Sequence, residues 1–165
     1  MVKPGIEIDI PGRGRLELRL IVTDYSGTLS HGGRLSDGVR DRLARLAELV
    51  EIQVLTSDTF GTARDELAGA GVNIHVLTGE RHDRQKERFV TARERPASIA
   101  AFGNGANDRL MLRAVRDAGG LAVAVDNGEG CSLETLLNST LVIHGAAPAL
   151  DLLLDPRRLK ADLRF

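Results

Sequence analysis

The sequence predicts an α/β fold, a three-layer α/β/α sandwich built on a mostly parallel sheet. Apolar stretches of strand length alternate with amphipathic stretches of helix length along the chain. This alternation is typical of parallel sheets with right-handed crossovers. Several apolar stretches also run directly into polar, turn-forming residues. The chain has 165 residues, with no internal repeat or low-complexity linker, so we expect one domain over residues 1–165.

The first elements predicted are β-strands. Residues 6–10 and 16–20 alternate apolar and polar side chains around the turn Pro-Gly-Arg-Gly, which predicts an N-terminal β-hairpin. Its second arm is expected to continue into a central strand that ends at Asp24. Residues 29–35 contain His-Gly-Gly and predict a small second hairpin over the site, and Ser36 is the expected N-cap of the helix that follows.

The rest of the chain repeats the strand and helix pattern. Each helical stretch ends near a glycine, an asparagine or a proline, and each strand is short and apolar. We predict strands at 52–56, 72–77, 99–103, 121–125 and 140–144, and helices at 59–70, 83–95, 107–118, 131–138 and 148–165, the last interrupted at Asp155-Pro156.

Polar residues follow three of these strands at their carboxyl ends. Asp24 follows the first, Thr56 and Ser57 end the second, and a glycine-rich turn with an acid, residues 103–108, ends the third. In open α/β sheets ligands bind at this edge, which favours a chemical role for Asp24. On its own, Asp24 fits an ordinary strand end and turn equally well.

The ordered set of Asp24, Thr56, Lys86 and the glycine turn resembles the haloacid dehalogenase (HAD) superfamily of phosphatases and phosphotransferases. The similarity is greatest to the soluble P-type-ATPase-like branch, through the segments D-Y-S-G-T-L, V-L-T-S-D-T-F-G-T-A-R and G-N-G-A-N-D-R-L-M-L. The resemblance covers nearly the whole chain. It implies a Rossmann-like strand order with the Asp24 strand central. The intervals between Thr28, Thr56 and Lys86 are too short for the cap domain that many relatives insert, so we expect a capless core.

The resemblance also implies a role for each residue. Asp24 would be the nucleophile that forms an aspartyl-phosphate, and Lys86 would pair with Asp24 and the phosphate. Mg²⁺ would neutralise charge between the carboxylate and the phosphate. The phosphate-binding residues implied are Thr56, Ser57, Gly27 and Thr28, and the metal ligands implied are Asp24, Ser26 through its carbonyl, Asn104 and Asp108.

Two positions depart from the pattern of the phosphatases in the superfamily. Ser26 stands where they carry an aspartate that acts as acid and base, and losing such catalysis costs about 10² to 10⁴ in rate. Asn104 stands where an aspartate most often binds the metal, so we expect weaker Mg²⁺ binding and a larger share for Asp108. We therefore expect slow hydrolysis or phosphotransfer. A module that binds a phosphorylated ligand or a partner protein without turnover is the alternative. His31 could replace the missing acid, or it could be an exposed turn residue.

Composition limits the other functions. The formal net charge is −1, which gives no electrostatic argument for nucleic acid or for anionic membranes. The sequence has no transmembrane or signal segment, and its single cysteine fits a reducing compartment, so we expect a cytoplasmic protein. The expected partner is a phosphorylated small molecule or protein. An open site would admit a macromolecule or be covered by another subunit of a homo-oligomer, with residues 150–154 and the tail as contact surfaces, unless they pack on their own sheet.

Overall fold

The computed structural model describes all residues, 1–165, and its centre is a six-stranded sheet. The ten strands of the chain are β1 (Ile6–Ile10), β2 (Gly14–Leu18), β3 (Leu20–Thr23), β4 (Ser30–His31), β5 (Arg34–Leu35), β6 (Glu51–Thr56), β7 (Asn73–Val76), β8 (Ile99–Gly103), β9 (Leu121–Asp126) and β10 (Leu141–His144). The strands of the central sheet in spatial order are β10, β9, β8, β3, β6 and β7, and every neighbouring pair is parallel.

Helices cover both faces of the sheet, which confirms the predicted three-layer α/β/α fold. The helices are α1 (Val39–Leu49), α2 (Ala63–Glu66), α3 (His82–Thr91), α4 (Arg109–Asp117), α5 (Leu133–Leu137), α6 (Ala146–Leu154) and α7 (Arg157–Leu163), with 3-10 turns at Pro96–Ser98 and Ala106–Asp108. Ile21 faces a large core shared with α1, α2, α6 and α7, whereas Val22 faces a smaller core shared with α3 and α4. Because successive side chains of a strand point to opposite faces, these two cores bury β3 on both sides.

The N-terminal hairpin forms as predicted, but its second arm does not continue unbroken into the central strand. Strands β1 and β2 make their own two-stranded sheet. The chain breaks at Arg19 and enters the six-stranded sheet only at Leu20. The Arg19 backbone bonds to Ser98 and Glu51 on either side, so the break redirects the hairpin without leaving an unpaired peptide group.

Two predicted helix starts are wrong. Helix α1 is preceded by Gly38 at φ 74°, while the Ser36 hydroxyl accepts a 2.8 Å hydrogen bond from Asn127 instead of capping the helix. Of the helix predicted over residues 59–70, only the four residues of α2 are helical. Gly61 has a φ of 68°, and the Asp58 carboxylate accepts hydrogen bonds from the amides of Thr62 and Ala63, so the helix starts after this turn.

Little chain separates the central strands. Between β3 and β6 lie only the β4–β5 hairpin and α1, and between β6 and β8 lie α2, β7 and α3. The core is therefore capless, as predicted. The segment 150–154 lies in α6 with Leu150, Leu152 and Leu153 buried, so it packs on its own sheet rather than offering a contact surface. No helix combines the length and the apolar character that crossing a bilayer requires.

Candidate active site

Asp24 lies at the carboxyl end of the central strand. Its amide donates a 3.0 Å hydrogen bond to the Phe102 carbonyl, which extends the pairing of β3 with β8 by one residue. The next residue, Tyr25, anchors a turn because its carbonyl accepts hydrogen bonds from the amides of Thr28, Leu29 and Ser30. The backbone on both sides of Asp24 is thus fixed, and only 6% of the residue is exposed.

Lys86 is the centre of a buried charged cluster. Its Nζ donates to Asp24 Oδ1 at 2.9 Å and to Asp108 Oδ1 at 2.7 Å, and the residue is wholly enclosed. The three side chains come from β3, α3 and the turn after β8, so the fold joins three distant positions of the sequence. Of the predicted site residues, the structure brings these three into direct contact.

Burial and pairing change the ionisation of the cluster. Burial raises the pKa of Asp24 to about 6, and the negative charge of Asp108 adds to this, although the Lys86 ammonium opposes it. Burial alone would lower the pKa of Lys86, but the two carboxylates together raise it above its usual value. Lys86 therefore stays charged at neutral pH, and Asp24 is costly to ionise.

Asp108 uses both carboxylate oxygens. Oδ1 accepts from Lys86, and Oδ2 accepts from the backbone amides of Asn104 at 3.0 Å and Gly105 at 3.1 Å. The turn can close this tightly because Gly103 has no side chain: a Cβ there would lie 2.5 Å from the Asp108 side chain. Asp108 thus orients Lys86 and shapes the glycine turn together.

Thr28 connects Asp24 with Asn104. Its hydroxyl is 3.0 Å from Asn104 Oδ1 and 3.5 Å from Asp24 Oδ2, and the Asn104 amide nitrogen donates to the Gly130 carbonyl at 3.3 Å. Because the amide nitrogen is bound to Gly130, the Asn104 oxygen faces Thr28, whose hydroxyl links it to Asp24. Gly27 has a φ of 76°, and a Cβ there would collide with the Asn104 side chain, so glycine is required at this position.

The expected phosphate-binding residues lie at the same edge. The Thr56 hydroxyl oxygen accepts from the Asp58 amide at 2.9 Å, which leaves its proton free for another acceptor. Ser57 Oγ is 3.1 Å from Thr59 Oγ1. The amides of Gly27 and Thr28 already donate to the carbonyls of Ser30 and Tyr25, so phosphate binding there would require these hydrogen bonds to be shared or broken.

Ser26 has an unsatisfied hydroxyl. Its Oγ is buried and has no hydrogen-bond partner, although it lies two residues after Asp24. A buried hydroxyl without a partner costs about 1 to 3 kcal/mol, which a site residue can tolerate when a ligand completes the hydrogen bond. The Nε2 atom of His82, one helical turn before Lys86 on α3, is likewise buried and has no hydrogen-bond partner.

The β4–β5 hairpin, residues 30–35, forms a flap beside the site as predicted. The Gly33 carbonyl accepts hydrogen bonds from Tyr25 Oη at 2.8 Å and Thr62 Oγ1 at 2.5 Å. On its other side the flap contacts the loop after β9, residues 127–130, where His31 Nδ1 is 3.2 Å from the Asn127 carbonyl. His31 is exposed, so its ring lies at the outer rim of the flap.

Neither this loop nor Glu129 was predicted from the sequence to belong to the site. The Gly32 amide donates to Glu129 Oε1 at 3.1 Å, and a Cβ on Gly27 would lie 3.1 Å from Glu129 Oε2. One signal was present in the sequence. The run Asp-Asn-Gly-Glu-Gly follows β9 at the same edge of the sheet as the glycine turn follows β8.

The oxygen atoms near Asp24 fit a hard divalent cation. No group of three or more His, Cys, Asp or Glu side chains could hold a metal, so an ion here would also need amide, carbonyl and water oxygens. Mg²⁺ accepts such a set, since it keeps several waters and takes one or two carboxylates. The Asn104 oxygen, which accepts from the Thr28 hydroxyl beside Asp24, belongs to this set.

The curated proteins include a relative of uncharacterized function. An uncharacterized protein of Methanocaldococcus jannaschii is 42% identical over 66 residues, which is 40% of this chain and 67% of that protein. The scan against protein-family models gave no match.

Solved structures share the fold along most of the chain. A putative 3-deoxy-D-manno-octulosonate 8-phosphate phosphatase from Vibrio cholerae superposes with a TM-score of 0.62 at 14% identity, covering 96% of this chain and 98% of that one. A putative HAD superfamily (subfamily III A) hydrolase from Legionella pneumophila gives 0.61 at 17%, covering 88% and 86%. The Moraxella catarrhalis 3-deoxy-D-manno-octulosonate 8-phosphate phosphatase, in complex with magnesium ion, phosphate ion and KDO, gives 0.54 at 18%, covering 88% and 90%. The chain therefore has the capless fold of the HAD superfamily, and it belongs to the same family as the archaeal protein.

Proposed function

We propose that this protein is an Mg²⁺-dependent phosphoryl-transfer hydrolase, a phosphatase or phosphotransferase that forms an aspartyl-phosphate on Asp24. One observation carries the proposal: an almost fully buried carboxylate ends the central strand and is held by a wholly enclosed lysine. Buried charges at the edge where α/β sheets bind ligands are costly to fold, and perturbed groups of this kind concentrate at functional sites.

The chain's residues would divide the first step between them. Asp24 attacks the phosphorus of the substrate in line, and the leaving oxygen departs with its electron pair. Lys86 holds Asp24 in its ionised form and attracts the phosphoryl oxygens. Thr56 donates its free hydroxyl proton to one of those oxygens, beside the Ser57 amide. The substrate class is a phosphorylated small molecule or protein.

The divalent ion would be held by Asp24, the carbonyl of Ser26 and the amide oxygen of Asn104. Asp108 lies against the same turn, but its two oxygens already accept three hydrogen bonds, so we assign it chiefly to orienting Lys86. When bound, the ion supplies positive charge between two anions that otherwise repel each other.

Ser26 supports a slow second step. A hydroxyl does not act as acid or base near neutral pH, so the phosphoenzyme should persist longer than it would with a carboxylate at this position. Together with the three motif segments, this favours the soluble P-type-ATPase-like branch, in which we expect slow hydrolysis or transfer to another acceptor.

A second candidate function is binding without turnover. The unpartnered Ser26 hydroxyl and the uncharged Asn104 favour a module that holds a phosphorylated ligand or partner and does not release phosphate. Such a protein would gain stability from the ligand, because a ligand that binds only the folded state raises the melting temperature.

The test is incubation of the purified protein with acetyl phosphate and with para-nitrophenyl phosphate, with and without Mg²⁺. Product release and protein mass are followed together, beside Asp24→Asn. We expect metal-dependent product release and a mass gain of one phosphoryl group, both absent in Asp24→Asn. Ligand-dependent stabilisation without product or mass gain would instead support the binding module.

A further inference from the structure

The residues that surround Asp24 include no group able to take a proton from water. Lys86 is charged and donates to two carboxylates, and Asp108 has both oxygens engaged. The other polar side chains bonded to these residues are the Thr28 hydroxyl and the Asn104 amide, which do not accept protons near neutral pH. Breakdown of an aspartyl-phosphate by water is faster by about 10² to 10⁴ when a base is present.

Glu129 is a carboxylate at the rim of the site with one oxygen that accepts no hydrogen bond. Its Oε2 lies 3.1 Å from the position that a Cβ on Gly27 would take, and Gly27 belongs to the turn that follows Asp24. Only Oε1 accepts a hydrogen bond, from the Gly32 amide of the flap. Asp58 also has one oxygen without a hydrogen bond, but its other oxygen anchors it to the start of α2, whereas Glu129 lies against the turn that follows Asp24. Glu129 is also exposed, so it stands where water reaches the site.

The loop that carries Glu129 is held in place on three sides. The Asn127 side chain donates to the Ser30 carbonyl at 3.2 Å and to Ser36 Oγ at 2.8 Å, and it accepts from the Ala146 amide at 3.0 Å. The Gly130 carbonyl accepts from the Asn104 side chain. The loop is therefore attached to the flap, to the glycine turn and to the start of α6, and the Glu129 carboxylate itself is held by the Gly32 amide.

We propose that Glu129 is the base for hydrolysis of the phosphoenzyme. Water attacks phosphorus while Glu129 takes one of its protons, the bond between phosphorus and the Asp24 oxygen breaks, and the electron pair returns to the Asp24 carboxylate. Inorganic phosphate leaves, and Glu129 passes the proton to solvent. This assignment rests on the proposed aspartyl-phosphate, and it gives the exposed side of the site a chemical role that the sequence motifs do not contain.

The experiment measures the lifetime of the phosphoenzyme. Protein is phosphorylated with acetyl phosphate and Mg²⁺, the donor is removed, and samples quenched from milliseconds to hours are analysed by mass. We expect Glu129→Gln to reach the same phosphorylated fraction as the wild type but to lose the phosphoryl group at least about tenfold more slowly. Glu129→Asp should lie between the two.

Glu94→Gln is the matched control, because it makes the same substitution at an exposed glutamate before β8, at the edge of the sheet opposite Asp24. Its phosphoenzyme should decay within about twofold of the wild type. Equal lifetimes for Glu129→Gln and the wild type, or equal slowing in both variants, would overturn the role of Glu129 alone. A wild type that never gains mass and behaves as Asp24→Asn would overturn the aspartyl-phosphate and this inference together.

Discussion

The two walls of the site are built in opposite ways. The inner wall, made of Asp24, Lys86 and Asp108, is buried and consists of charged side chains joined by short hydrogen bonds. The outer wall, made of the flap 30–35 and the loop 127–130, is largely exposed and is held by many hydrogen bonds that involve main-chain groups. The inner wall thus fixes Asp24, the proposed nucleophile, whereas the outer wall faces solvent.

The difference between the walls determines what each kind of residue contributes to stability. Charges in the inner wall interact strongly because solvent is excluded, and removing one of them leaves its buried partners unpaired at a cost in stability. Groups in the outer wall contribute little to folding and are free to serve the reaction. Four predictions test the contrast, from the largest effect on stability to the smallest.

The largest effect is expected from Lys86→Met. Removing the ammonium leaves two buried carboxylates facing each other, so the free energy of unfolding should fall by about 3 to 5 kcal/mol. Urea unfolding at pH 7.5 measures the loss. Lys160→Met is the control, since Lys160 is exposed, and it should change the free energy by less than about 0.5 kcal/mol. Similar values for both variants would show that the cluster does not contribute in this way.

Asp24→Asn should stabilise the metal-free protein. Folding raises the pKa of Asp24 from 3.8 to about 6, so the folded state binds its proton more tightly than the unfolded chain. The stabilisation from this group is complete below pH 3.8 and is lost as pH rises through 6. At pH 7.5 in EDTA the variant should therefore exceed the wild type by up to about 2 to 3 kcal/mol.

The dependence on pH distinguishes this cause from a change in packing. The difference in unfolding free energy between Asp24→Asn and the wild type should be largest above pH 6 and should shrink as the pH falls from 6 toward 3.8, because Asp24 becomes protonated in the folded state over that range. Exposed Asp162→Asn should show no such trend. A difference that stays constant with pH would contradict the ionisation argument.

Gly27→Ala tests the junction of the two walls. Gly27 and Gly61 both have positive φ, at 76° and 68°, but only a Cβ on Gly27 meets neighbouring atoms, those of Asn104 and Glu129. The collision should make Gly27→Ala less stable than Gly61→Ala by about 1 to 3 kcal/mol. Thermal unfolding of the pair measures this directly, and equal melting temperatures would mean that the turn relaxes freely.

The smallest effect is expected from His31→Ala in the outer wall. His31 is exposed and makes one hydrogen bond to the loop, so the free energy of unfolding should change by less than about 0.5 kcal/mol. Hydrogen exchange of the flap amides should nevertheless become faster, because local opening does not require global unfolding. Unchanged hydrogen exchange of the flap amides together with a large loss of unfolding free energy would contradict the stated difference between the two walls.

The fold and the strand-end residues of the site were accessible from the sequence because both follow local rules, whereas the pairing of Lys86 with Asp24 was expected from the family resemblance alone. Alternating apolar segments determine the parallel sheet, and polar residues at strand ends must meet at one edge. This placed Asp24, Thr56 and the glycine turn correctly. The predicted helix starts were wrong where a glycine with positive φ precedes the helix in place of a side-chain cap, as at Gly38 and Gly61.

Within the outer wall the flap was predicted, but its contacts with the loop 127–130 were not accessible, because they are made chiefly by main-chain groups. The Ser36 hydroxyl looked like a helix cap, yet it accepts from Asn127, which is far away in the sequence. Glu129 carries no spacing signal that links it to the flap, since its partner is the amide of Gly32. Contacts of this kind depend on the path of the chain, which periodicity does not determine.

The enclosure of Lys86 has a consequence for ligand binding. One ammonium between two ionised carboxylates leaves the cluster with one net negative charge, so a phosphate dianion alone meets repulsion and a divalent cation alone meets attraction. The cation should therefore tighten phosphate binding, and by thermodynamic reciprocity phosphate should tighten cation binding by the same factor. The protein would then respond to the product of the two ligand concentrations rather than to either ligand separately.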